Sequence, residues 1–229
     1  MRIAVFSDIH GNYQALDAIM KHIKKNKIDK IIFLGDAVGL GPSFNECLKV
    51  LNNKDIIFIA GNHEIYYTKN IDCNSSLYEA AHNSWVHETI NEKVDDSTLS
   101  YELELNNKKF LFFHYFLTDD YYPFNRVDDH VEEDFKKLFK KYNNYDYVFY
   151  GHIHEGRYDE DNNCKFYCIG SSGCTGDENT FYYVIDTNEE LKIEKVLLKY
   201  NRKKFEDIIK ESDYPDKEHI ADKFFKLKL

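Results

Sequence analysis

The sequence predicts an α/β protein, and three observations carry that prediction. Five apolar runs of about strand length are hydrophobic throughout rather than in alternation, segments with helical spacing lie between them, and a turn-linked pattern takes over from about residue 164. Continuous hydrophobicity implies strands covered on both faces, and strand–helix–strand repetition implies parallel pairing through right-handed crossovers.

The first run is "RIAVFSD" (2–8), followed by "NYQALDAIMKHIKKN" (12–26), where Ala15, Ile19, His22 and Ile23 share one side of a helix. "KIIFLGD" (30–36) reads as a second strand, and "PSFNECLKVLNN" (42–53) as a helix opened by proline. "DIIFIAGN" (55–62), "KKFLFFHY" (108–115) and "DYVFYGH" (146–152) complete the apolar runs. Beyond them "CKFYCIG", "FYYVID" and "LKIEKVLLKY" read as short strands separated by turns, which adds a more antiparallel sheet. The tail, 201–229, reads as two short helices split near Pro215 and packed on the core of a single domain spanning 1–229.

The formal net charge of −10 argues against a general nucleic-acid-binding surface, which needs lysine and arginine to displace counterions from phosphates. The five cysteines are scattered and lack paired C-x-x-C spacing, so they fit neither a disulfide framework nor a zinc knuckle. No apolar run approaches the roughly 20 residues that span a bilayer, and no stretch has the layout of a secretory leader. The expectation is a cytoplasmic protein with no membrane association, monomeric or, through its tail aromatics, a homodimer.

Polar residues able to bind metals stand at the downstream ends of the apolar runs. They are Asp8 and His10 in "FSDIHGN", Asp36 in "FLGD", Asn62 and His63 in "AGNHE", His114 in "FLFFHY", and His152 with His154 in "YGHIH". Ligands bind at that edge of open α/β sheets because the loops diverge there. In extended chain, residues two apart point the same way, so Asp8 with His10, and His152 with His154, each aim two donors at one place. Neighbours point apart, which separates the duties of Asn62 and His63.

Taken alone, Asp-x-His is a chance pair and His114 a core histidine; the order of all these groups, each closing an apolar run, is what signals a site. Carboxylate, amide oxygen and imidazole without thiolate suit Mn²⁺, Fe, Co²⁺ or Zn²⁺ better than Mg²⁺ or Ca²⁺. Seven candidate ligands exceed one tetrahedral ion, and two divalent ions sharing a carboxylate is the economical arrangement. His22, His82, His87, His130 and His219 lie in helical or charged stretches and read as structural or surface residues.

With "SDIHGN", "GDAVGLGP", "GNHE", a strand-end histidine and "GHIH" in this order, the sequence resembles the calcineurin-like metallophosphoesterases, nearest the small bacterial and archaeal phosphodiesterase-like branch. The resemblance implies a four-layer α/β/β/α sandwich of two packed mixed sheets. It also implies two metals, Mn²⁺ foremost, with Asp8, His10, Asp36 and His154 on one and Asp36, Asn62, His114 and His152 on the other. His63 would then sit near the leaving-group oxygen while a metal-bridging hydroxide attacks phosphorus in line. Such ions outweigh the charges of Asp8 and Asp36, so the pocket is cationic within an acidic chain.

Three positions depart from the family pattern: Leu40 stands where phosphoprotein phosphatases and symmetrical dinucleoside tetraphosphatases carry arginine, Gly39 where phosphatases place the aspartate that orients the histidine, and Tyr115 where glycine is usual. Tyr115 is therefore expected to crowd the pocket mouth, and Glu64 to point away from His63. The expected activity is hydrolysis of a small phosphorylated, nucleotide-like diester rather than a nucleic-acid polymer. The aromatics of "TDDYYPFNR" are read as loop packing in preference to a base-stacking surface. The alternatives are phosphomonoester hydrolysis, asymmetric dinucleoside polyphosphate hydrolysis, and a scaffold of the same fold without chemistry.

Overall fold

The computed structural model describes residues 1–71, 77–116, 140–161 and 163–229, with the backbone alone for 77–79. The stretch "TDDYYPFNR", Cys73 and His130 lie outside the described residues.

The chain alternates strand and helix first: β1 (Arg2–Phe6), α1 (Tyr13–Lys25), β2 (Lys30–Phe33), α2 (Phe44–Leu51) and β3 (Ile56–Phe58). Helices α3 (Asn62–Lys69) and α4 (Leu77–Thr89) follow, then β4 (Ser100–Leu105), β5 (Lys108–Phe113) and β6 (Tyr147–Tyr150). The chain closes with β7 (Arg157–Glu160), β8 (Lys165–Cys168), β9 (Asn179–Asp186), β10 (Lys192–Lys199), α5 (Arg202–Glu211) and α6 (Lys217–Phe225).

The strands form two mixed five-stranded sheets, ordered β10-β9-β1-β2-β3 and β4-β5-β6-β8-β7. In the first, β1, β2 and β3 run parallel, while β9 and β10 add antiparallel strands on the β1 side. In the second, β5, β6 and β8 are parallel, and β4 and β7 are antiparallel edges.

Strand periodicity explains why the apolar runs are continuous. Ile3, Val5, Ile32 and Leu34 face the other sheet and meet Phe110, Phe112 and Phe149 from it, whereas Ala4, Phe6 and Phe33 face Leu16 and Ile19 of α1 and Leu48 of α2. Phe112 and Phe149, cross-strand partners on β5 and β6, stack at 5.3 Å on the face the second sheet turns to the first. Each such fully buried side chain contributes about 1.5–3 kcal/mol. On its outer face the second sheet buries Leu111, Phe113, Val148 and Tyr150 against Phe116, Tyr142 and Tyr145.

Local chemistry sets several boundaries. Asn12 caps α1, its side-chain oxygen accepting from the Ala15 N–H at 3.1 Å. Pro42 stands one place before the cap Ser43 rather than inside α2, which begins at Phe44. The two-residue loop Asn106–Asn107, with φ of 51° and 60°, joins β4 to β5 in the manner of a type I′ turn. Helices α5 and α6 bury Phe205, Ile209, Ile220 and Phe225 with Ala15 of α1 and Leu40. No helix among the described residues is long and apolar enough to cross a membrane.

Candidate metal centre and active site

The sequence places the polar residues at strand ends, and the structure shows how they turn inward. β1 ends at Phe6, yet Asp8 and His10 adopt φ of 53° and 46°; Asp36 beyond β2 has φ 60°, and His152 beyond β6 has φ 68°. The expectation that extended chain alone aligns Asp8 with His10, and His152 with His154, is therefore corrected: left-handed turns bring these pairs together. Such φ values are uncommon in non-glycine residues and persist where the surroundings hold them. Here the holding bonds run between loops: the Asp8 N–H donates to Gly35 O and the His10 N–H to Asp36 O, each at 2.9 Å, and the Gly173 N–H to Asp8 O at 3.1 Å.

All seven candidate ligands converge. Asp8 Oδ1 lies 3.7 Å from His10 Nε2 and 3.6 Å from His154 Nε2, and the two imidazole nitrogens face each other at 3.1 Å. Asn62 Oδ1 lies 3.0 Å from His114 Nε2 and 2.9 Å from His152 Nδ1. Asp36 Oδ2 stands between the groups, 3.3 Å from His114 Nε2 and 3.7 Å from His10 Nε2.

Two features show that the donors fit cations. Donors about 2.1 Å from a common centre and at right angles to one another lie about 3 Å apart, close to the shortest of these spacings. Asp8 Oδ1 is buried without a hydrogen-bond partner, a state that favours a bound cation. The imidazoles are also pre-oriented: His114 Nδ1–H donates to Leu34 O at 2.7 Å and His10 Nδ1–H to Val38 O at 3.2 Å, which turns each Nε2 lone pair inward.

Electrostatics within the cluster are strong. Burial alone would raise the Asp8 carboxyl, but His10, His114 and His154 outweigh it and bring it to about 2; Asp36 is likewise held well below the usual range, chiefly by His114 and His63. Burial would lower His114, but the Asp36 carboxylate reverses this and lifts it to about 9. Burial holds His152 down at about 3 and His154 at about 4.

A proton on His114 therefore competes with a metal. Because its folded value stands above the ordinary 6.5 of a histidine, the protonated pair with Asp36 stabilises metal-free protein fully below about pH 6.5, and that stabilisation is lost as pH rises through about 9. Cation affinity is expected to rise over the same window, with proton release on Zn²⁺ binding at pH 7 that vanishes above about pH 9, measured by calorimetry in buffers of different ionisation enthalpy. PH-independent affinity would contradict the assignment of His114.

His63 sits beside the cluster, its ring 4.9 Å from that of His10, and its backbone N–H donates to Asp36 Oδ1 at 3.0 Å. Burial lowers it to about 4 in the absence of ions, so its imidazole is neutral. The side chain uses the space left at Gly39, where a Cβ would stand 2.5 Å from His63 Nδ1. An aspartate at that position would collide with the ring.

Several groups hold positions that sequence reasoning missed. Glu64 points back into the loops, fully buried, and accepts from the backbone N–H groups of Asp36, Ala37, Val38 and Gly61 at 2.8, 2.8, 3.2 and 2.8 Å. Tyr115 does not crowd the mouth: it is buried with its ring 4.3 Å from His152. Of the two readings of His82, structural or surface, the buried one holds, and it also lines the cleft: it is 1% exposed, both ring nitrogens lack partners, and burial lowers it to about 3. The donor set is also less purely oxygen and nitrogen than its sequence suggests, because the Cys174 sulfur and one ring nitrogen each of His10 and His154 lie within 4.8 Å of one another. Among the other histidines read as structural or surface, His22 bonds Tyr182 Oη at 2.9 Å, while His87 and His219 are exposed.

The cluster opens into a cleft of about 820 Å³, within the range of small-molecule sites. His10, Asp36, Asn62, His63, His152 and His154 line its floor, and Lys195, Lys223 and Lys226 from β10 and the α6 end line one wall.

Comparison with known proteins places the fold and the family. A Methanocaldococcus jannaschii protein described as uncharacterized, MJ0912, is 31% identical, the alignment covering 91% of this chain and 92% of its own. The crystal structure of the hypothetical protein PH1004 from Pyrococcus horikoshii superposes with a TM-score of 0.76 at 19% identity, over 100% of this chain and 99% of that one. A metallophosphoesterase from Sphaerobacter thermophilus gives a TM-score of 0.67 at 18% identity, over 96% and 99%. The calcineurin-like phosphoesterase superfamily domain matches residues 1–190, a span that contains every one of the converging donors, and the chain belongs to that superfamily.

Proposed function

We propose that the protein is a dinuclear-metal-dependent phosphodiesterase acting on a small, nucleotide-like substrate. The observation that carries this reading is the convergence of Asp8, His10, Asp36, Asn62, His114, His152 and His154 as two adjoining donor groups that share Asp36. Two divalent ions, Mn²⁺ foremost, when bound supply an activated water and neutralise phosphoryl charge.

The chain's own residues do the rest. Asp36 holds the His63 backbone through Oδ1 while Oδ2 faces the donor groups, so the position of His63 is tied to that of the centre. The neutral imidazole then stands to donate a hydrogen bond to the departing oxygen. A diester is favoured over a monoester because Leu40, buried at 5% exposure, lines the cleft where an arginine would grip the second charge of a monoester dianion.

The test is metal analysis followed by hydrolysis of aryl diesters, aryl monoesters, cyclic nucleotides and dinucleoside polyphosphates after loading with Mn²⁺, Co²⁺, Zn²⁺ or Fe²⁺. Diesters are expected to turn over fastest. His63→Ala is expected to keep its metal content and lose about 10²- to 10⁴-fold in kcat. Unchanged turnover would remove His63 from the mechanism, and a fully loaded protein inert toward every ester would favour the non-catalytic scaffold.

A further inference from the structure

We propose that a second cavity beside His63 receives the leaving alcohol, and that this alcohol is an uncharged nucleoside. The inference rests on the diesterase reading and deepens it by assigning the substrate's leaving half. The cavity, about 480 Å³, shares His63, Tyr66 and Asn83 with the metal cleft, so His63 stands in the wall between the two spaces. In an in-line displacement the departing oxygen lies on the side of the group that assists it, and the alcohol attached to that oxygen extends beyond it.

The cavity's chemistry selects the class. Tyr67 and His87 present paired rings, 4.6 Å between centroids and tilted by 30°, which offers a π surface to a base. Among the described lining residues there is no lysine or arginine, and Glu88 carries the one carboxylate. A leaving group bearing phosphates would meet that carboxylate and no cation among the described residues, whereas a nucleoside offers hydroxyls to it and to the side chain of Asn70.

The cations of the metal cleft lie elsewhere, at Lys195, Lys223 and Lys226, none of which lines the second cavity. His82, next to the shared Asn83, adds two unpartnered ring nitrogens on the cleft side, and Tyr214, whose hydroxyl is also unpartnered, packs its ring 5.1 Å away. The metal cleft thus carries lysines on the retained side of the substrate, while the described lining of the leaving side is aromatic and hydrogen-bonding with a single carboxylate.

The experiment uses the full chain loaded with Mn²⁺ and has two arms. Hydrolysis of adenylyl-(3′→5′)-adenosine is compared with that of diadenosine tetraphosphate in wild type, Tyr67→Ala and Glu88→Lys, with metal content and melting temperature as folding controls. Wild type is expected to favour the dinucleoside monophosphate, Tyr67→Ala to raise its KM about tenfold with kcat within twofold, and Glu88→Lys, at an exposed site, to shift the ratio about tenfold toward the tetraphosphate. Unchanged KM in Tyr67→Ala together with an unchanged ratio in Glu88→Lys overturns the proposal while leaving the diesterase reading intact.

The second arm titrates adenosine into the loaded protein by calorimetry and needs no turnover. Binding weakened about tenfold by Tyr67→Ala supports the pocket, and no binding in wild type overturns it, even where the protein hydrolyses other esters.

Discussion

Asp36→Asn is expected to lose both ions and to lower kcat/KM by at least about 10³-fold, equivalent to about 4 kcal/mol of transition-state stabilisation. The substitution is a clean one. Asparagine adopts positive φ more readily than most residues, so the φ of 60° at this position is retained, and the amide oxygen still accepts from the His63 N–H. What disappears is the charge shared between the two donor groups. His114 then loses the carboxylate that lifts its pKa and titrates lower, which an NMR titration of its ring protons reads directly. Stoichiometric metal with normal turnover in this variant would end the dinuclear reading.

The second large effect concerns folding. Glu64 binds four backbone N–H groups from two loops with one buried carboxylate, and Glu64→Ala leaves all four without a partner. At about 1–3 kcal/mol for each orphaned donor, the loss is about 4 kcal/mol or more, out of the 5–15 kcal/mol typical of a folded domain. For a chain of this size that corresponds to a fall of roughly 10 °C in melting temperature. Glu64→Gln retains one acceptor oxygen and is expected to fall between the two. Denaturant unfolding with unchanged slope checks the energy; a melting temperature within a degree or two of wild type would show that the loops hold without this carboxylate.

Glu64 also marks where sequence reasoning stops. The parallel strands β1, β2, β3, β5 and β6 were legible because burial on both faces makes each an unbroken apolar run. Strands β4 and β7 were not, since both are sheet edges whose residues alternate in exposure, as "SYELEL" does. The candidate ligands were legible as polar residues closing apolar runs, but not their geometry, which depends on positive φ at Asp8, His10, Asp36 and His152. Hydrogen-bonding chemistry across loops leaves no periodic trace, so the sequence placed Glu64 away from His63 without revealing the four N–H groups it binds. The place of His82 in the cleft was not legible because α4 has no clean apolar stripe, nor was that of Cys174, because nothing local links residue 174 to residues 10 and 154.

The converging donors come from loops of two different sheets. Asp8, His10, Asp36 and Asn62 follow strands of the first, while His114, His152 and His154 follow strands of the second. Cations bound among them would rivet the two halves of the sandwich at one edge, so part of their affinity would be spent opposing separation of the halves. The unfolding midpoint of the loaded protein would then climb with free ion concentration, and chelation would loosen the molecule at that seam before the rest of it gave way.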